Sequence, residues 1–143
     1  MSKKRIMVCL DGSKNSIRGL DKAILFAKQS DAMILGVHSD TSFSAFSAVR
    51  APILPEKKWK KEAKALIRAA KNKVEKNNIE FEGVVIGGHT SGIDLTTFAN
   101  NPANKIDQII IGSRGMGLPK EIFFGSTSNF ILHKAKSPVT IVK

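Results

Sequence analysis

Residues 107–128 read DQIIIGSRGMGLPKEIFFGSTS, and they set the reading of the whole chain. Three consecutive isoleucines have the length and apolar continuity of a buried strand. Gly112-x-x-Gly115 follows at once, and nine residues later come Gly125, Ser126 and Thr127, where a helical pattern begins. A strand, a glycine-rich loop and a helix start are the parts of a phosphate cradle. Glycines let backbone approach a bound group, and helix N-termini present bare N–H groups to an anion. On local pattern alone, a glycine-rich surface loop that binds nothing competes with this reading. The segment is not a Walker A loop, because no lysine stands beside Ser126 or Thr127. Gly112, Gly115 and Gly117 are also wrongly spaced for a dinucleotide-binding fingerprint.

Upstream, Lys4–Leu10 reads as a second buried strand, ending at Asp11-Gly12-Ser13. A helix is expected over Ser16–Lys28, with Ile17, Leu20, Ile24 and Ala27 on its apolar stripe and Ser13 or Asn15 as cap. Ala32–His38 is a further strand. Thr41–Pro55 is too broken for a helix and long for a turn, so it reads as a surface loop or as a flap near a ligand. Its Phe43, Phe46, Ile53 and Leu54 imply that part of it packs. Glu56–Asn77 reads as one helix started by Pro55, with Trp59, Ala63, Leu66, Ala70 and Val74 on one face.

A third strand is expected at Ile79–Ile86, closed by Gly87-Gly88, then a short helix from Ser91, with Asp94 in its first turn, to Asn100. Lys105–Ile111 is the fourth strand, Gly125–Lys136 the last helix and Val139–Val142 the last strand. Strict alternation with continuous apolar strands predicts an α/β fold. It is one three-layer domain of 143 residues, a five-stranded, mainly parallel sheet with helices on both faces. Ligands of such sheets lie beyond the carboxyl ends of the strands. Asp11, Val37-His38, Gly87-Gly88 and Gly112 all fall on that edge.

The net charge of +11 is concentrated in Glu56–Lys76, which carries nine lysines and arginines against three glutamates. Such a helix is either a solvated face or a polyanion contact. The chain lacks tyrosine, and Trp59 falls on the apolar stripe, so aromatic base stacking is not offered. No apolar run is long enough to span a bilayer, and the amino terminus lacks a signal-peptide core, so a cytoplasmic location is expected. The single cysteine, Cys9, reads as an inert strand residue.

Taken together, the opening strand ending in Asp11-Gly-Ser, the Gly-x2-Gly-x9-Gly-Ser spacing and the close Ser137-Pro-Val-Thr-Ile-Val resemble the universal stress protein family. The spacing is that of its ATP-binding branch. The resemblance runs along nearly the whole chain and implies an adenine nucleotide alpha hydrolase-like fold that binds ATP, with Mg2+ accompanying it. It places Asp11 at the adenosine end, the Val37 backbone at adenine and Gly112 beside the ribose. Gly115, Gly125, Ser126 and Thr127 would hold the phosphates. Arg114, inside the glycine loop, reads either as an offset to phosphate charge or as a surface arginine. Leu10, Ile111 and Ser113 complete the implied set.

The resemblance also implies a homodimer joined through Val139–Val142. Binding with at most slow hydrolysis is expected, in a nucleotide-dependent stress or signalling module. No paired carboxylates follow the first strand. His38 and His89 end strands on the ligand edge and either reach a ligand or are simply solvated, while His133 sits in the last helix, away from that edge. Two rivals remain. One is an adenylating or ATP-hydrolysing enzyme holding phosphates at Asp11–Ser16. The other is a nucleic-acid-binding protein using the basic helix.

Overall fold

The structure is a computed structural model, and its described residues are 2–44, 53–114 and 125–143. Its elements are β1 (Arg5–Cys9), α1 (Lys14–Ser30), β2 (Met33–Ser44), α2 (Lys61–Glu75), β3 (Phe81–Gly88), α3 (Ser91–Asn100), β4 (Gln108–Gly112), α4 (Ser126–Lys134) and β5 (Val139–Val142). The five strands form one sheet in the order β3-β2-β1-β4-β5. Every pairing between them is parallel, with Cys9 opposite Val37 and Val8 opposite Ile110.

Alternation of side chains along the strands splits the interior into two cores. Ile6, Val8, Leu10, Ile34 and Ile110 point to one face, where Leu20, Ala23, Ile24 and Ala27 of α1 and Ala63, Ile67, Ala70 and Val74 of α2 cover them. Met7, Cys9, Leu35, Val37, Ile109 and Ile111 point to the other, under Leu95, Phe98 and Ala99 of α3 and Ile131 of α4. A strand buried on both faces must be apolar at every position, which is why these strands read as runs rather than as alternations.

Several expectations shift in detail. Helix α1 starts two residues early because Ser13 caps it, accepting the Ser16 amide at 3.1 Å. Ile17 leaves the stripe and is 47% exposed, its inward place taken by Ala23 and Gly19. The expected loop from Thr41 yields its first four residues to β2, while residues 45–52 lie outside the described set. Beyond it, Ile53 makes an antiparallel bridge to Ile86, the Leu54 amide donates to the Val85 carbonyl at 2.8 Å, and Leu54 is buried.

The single helix expected over Glu56–Asn77 is two pieces, a short 3-10 turn at Glu56–Lys58 and then α2 from Lys61. Trp59 sits between them in extended backbone and donates its indole N–H to the Leu54 carbonyl at 2.9 Å, an anchor that a continuous helix would not allow. Ile67 joins the buried stripe, while Leu66 is only partly buried against it. Helix α3 is capped by Thr90 rather than Ser91, because Asp94 turns back to the His89 amide. Strand β4 begins at Gln108, after a 3-10 turn at Pro102–Asn104 that ends in left-handed Lys105. Helix α4 ends at Lys134.

Candidate functional site

With β1 in the middle of the sheet, the chain leaves it for β2 on one side, while β4 flanks it on the other. The carboxyl ends of β1 and β4 therefore bound a natural crevice. A cavity of about 410 Å3 opens there, between the strand ends and the start of α4. That is within the size range of small-molecule sites.

Of the residues expected to bind, Leu10, Asp11, Ile111, Gly112, Arg114, Gly125, Ser126 and Thr127 all line this cavity. Val37 and Ser113 do not. Val37 is fully buried and its carbonyl accepts the Leu10 amide at 2.9 Å. Gly115 lies outside the described residues.

Asp11 is held at the wall by its own loop. Its Oδ1 accepts the Ser13 amide at 2.9 Å, across Gly12, whose φ of +83° suits glycine. Ser16 ties the turn down, its hydroxyl accepting from the Asp11 amide and donating to the Cys9 carbonyl. Ser113 works from behind the wall. Its carbonyl accepts the Gly125 amide at 2.6 Å and the Ser128 hydroxyl at 2.9 Å, so both ends of the glycine loop are clasped together.

That clasp uses the Gly125 N–H. The first-turn amides of Ser126 and Thr127 have no acceptor within α4, and α4 has no side-chain cap. The positive end of the helix dipole meets the cavity there, beside the Ser126 and Thr127 hydroxyls and Arg114.

The floor also carries residues outside the expected binding set. Cys9 lines it, and burial, with the Asp11 charge nearby, pushes its thiol up to about 12. It therefore stays protonated and unreactive at neutral pH. His38 lines the cavity with Nδ1 at 2.8 Å from the Leu10 carbonyl. A carbonyl only accepts, so Nδ1 carries a hydrogen toward Leu10, and Nε2 is the ring nitrogen left for a ligand.

Ser39, Ser91 and Leu95 complete the far side. Behind them Asp94, fully buried, accepts the Ser39 hydroxyl at 3.2 Å and the His89 amide at 3.1 Å, with His89 Nδ1 at 3.3 Å. This cluster locks the ends of β2 and β3 to the start of α3. His133 is exposed on α4 and does not line the cavity. Among the described residues no group of three His, Cys, Asp or Glu side chains could hold a metal ion, and no helix is long and apolar enough to cross a membrane.

A family model described as the universal stress protein family matches residues 3–143. Universal stress protein YxiE of Bacillus subtilis is 28% identical, covering 97% of this chain and 98% of its own length. Among solved structures, UspA from Lactobacillus plantarum superposes with a TM-score of 0.79 at 18% identity, covering 100% of this chain and 99% of its own. The universal stress protein from Archaeoglobus fulgidus in complex with dAMP gives 0.73 at 24% identity, covering all of both chains.

Proposed function

This chain belongs to the universal stress protein family, and from that premise we propose that its cavity takes an adenine nucleotide, ATP with Mg2+, in a binding rather than a turnover role. One observation carries the reading. The uncapped first turn of α4 and the fixed carboxylate of Asp11 stand on one cavity at the switch point of the sheet. An anion is best held at the first and a sugar hydroxyl at the second, so a nucleotide has its two recognition chemistries on one site. The dAMP bound by the Archaeoglobus relative supports the adenine class.

The Ser126 and Thr127 amides and hydroxyls take the phosphates, Arg114 offsets their charge, and Gly115 and Gly125 leave room for them. Gly112 and Ile111 flank the ribose. Adenine lies toward the end of β2, beside His38 rather than the buried Val37. A magnesium ion bound there draws its ligands mainly from the phosphates, since the chain's described residues offer no three-residue cluster of their own.

Slow hydrolysis at most is expected. Phosphoryl transfer needs a group that orients water or takes a proton at the γ-phosphate. Asp11 is assigned to the sugar end, and the Nδ1–H of His38 is donated to Leu10. In this reading ATP orders the glycine loop and changes which partner a cytoplasmic homodimer, joined through β5, engages.

Calorimetry with ATP and Mg2+, beside AMP and cyclic AMP, tests the ligand class, together with mass spectrometry of nucleotide released from natively purified protein. Saturable binding tightest for ATP supports the proposal. No heat, with unchanged melting of a Gly115→Val, Gly125→Val double variant in nucleotide, overturns it. An enzyme holding phosphates at Asp11–Ser16 would keep its affinity in that variant.

A further inference from the structure

The strongest charge on the described surface lies away from the cavity, on α2 and the turn before it. Lys57, Lys58, Lys61, Lys64, Arg68 and Lys76 are exposed, and among the described residues none of them has an ion-pair partner. The neighbouring cations are partnered: Lys60 with Asp40, Lys71 with Glu75 and Lys73 with Asp21. Lys61, Lys64, Arg68 and Lys71 follow one another at spacings of three and four, so they share one flank of α2. Its buried stripe of Ala63, Ile67, Ala70 and Val74 lies to the other side. At 1.5 Å per residue this row is about 15 Å long. A nucleic-acid duplex presents on the order of nine phosphate charges over the same length.

We propose that this flank of α2 docks on the sugar-phosphate backbone of duplex nucleic acid without reading its sequence. Lys61, Lys64 and Arg68 are unpaired like charges that repel one another, and a more densely charged polyanion relieves that cost while releasing its counterions. A single-stranded partner fits less well. Strand-binding surfaces stack bases on exposed aromatic rings. Here Trp59 is half-buried with its indole N–H donated to Leu54, and the chain has no tyrosine. A membrane surface also fits less well. Among the described residues the exposed large apolar ones are Ile17, Leu25, Ile53, Ile93, Phe130 and Leu132, and none of them is on α2 to enter a lipid headgroup layer. The inference does not depend on what the cavity binds.

Fluorescence anisotropy of the full chain with two labelled 24-base-pair duplexes of unrelated sequence tests it, from 50 to 200 mM KCl. Equal affinity for both is expected, with a log–log salt slope of about −4 and hence a loss on the order of 100-fold over that range. A K61E/K64E/R68E variant is expected to bind at least about 10-fold more weakly and to flatten the slope. K61Q/K64Q/R68Q should fall between it and the wild type. Both variants should melt cooperatively and keep any nucleotide-induced melting shift, because the changed side chains are exposed and none of them lines the cavity. Four outcomes overturn the proposal: no association at 50 mM KCl, a flat slope, variants that bind like wild type, or a clear preference for one sequence. Stronger binding to phosphatidylserine vesicles or to polyglutamate than to duplex, at equal charge, also overturns it, in favour of a membrane or an acidic protein.

Discussion

Gly112 and Asn15 meet backbone to backbone. A Cβ placed on Gly112 would stand 2.8 Å from both the carbonyl carbon and the Cβ of Asn15. The first glycine of the loop signature therefore lets α1 settle onto the end of β4, where Asn15 Nδ2 also donates to Ser113 Oγ at 3.2 Å. The same glycine lines the cavity, so packing and access are met at one position.

Gly112→Ala should destabilise the protein by about 1–3 kcal/mol, because the methyl group must displace α1 backbone rather than a flexible side chain. Elsewhere a Gly-to-Ala change at an ordinary φ tends to stabilise through the unfolded chain. A lower urea midpoint at unchanged m-value is the expected result. An unchanged or higher midpoint would mean that α1 yields freely.

Ser126→Asp separates fold from ligand. A carboxylate in the first turn of α4 favours the helix dipole, by about 0.3–1 kcal/mol, yet it repels a phosphate held there. The variant should melt slightly higher than wild type without nucleotide and, if the proposed site is right, lack any rise in melting temperature that ATP and Mg2+ give the wild type. A retained nucleotide shift would move the phosphate site away from α4.

The Thr96 hydroxyl is buried in α3 and has no hydrogen-bond partner among the described residues. Thr96→Val keeps the shape and removes a desolvated polar group, so stability should rise by about 1 kcal/mol in a denaturant titration. A drop would show that the hydroxyl finds a partner in solution.

Asp40 gives the protein an acid-side pH dependence. Burial alone would raise its carboxyl, but the Ser42 hydroxyl and amide, donating to Oδ1 at 2.6 and 3.0 Å, together with Lys60 and His38, hold it below the ordinary 3.8. The unfolded chain thus takes up this proton first. The stabilising increment is complete above the unfolded value and fades as pH falls through the lower folded value. Wild type should exceed Asp40→Asn in stability at pH 6, and the gap should narrow at pH 3. A gap that widens toward acid would reverse the assignment.

Strand and helix order was legible because each central strand is buried on both faces and so leaves an unbroken apolar run. Of the cavity's lining, Leu10, Asp11, Ile111, Gly112, Arg114, Gly125, Ser126 and Thr127 were in the expected set, and largely through a resemblance in spacing. What could not be read was long-range. Trp59 leaves the α2 stripe for the Leu54 carbonyl, and Ile17 turns to solvent because Gly19 packs near Ile110. Asp94 serves Ser39, 55 positions away, and a carboxylate's partners at that separation have no periodic signature. Gly112 was visible as a glycine, but the helix it accommodates was not.

The two margins of the sheet are unlike. Along β3 the outer side is occupied in part by Ile53 and Leu54, whereas among the described residues β5 ends the sheet with nothing beyond it. A copy joined strand to strand at the open margin would turn its own stoppered margin outward. A third molecule arriving by that route would meet a margin already bridged at Val85 and Ile86, with less open strand left to extend.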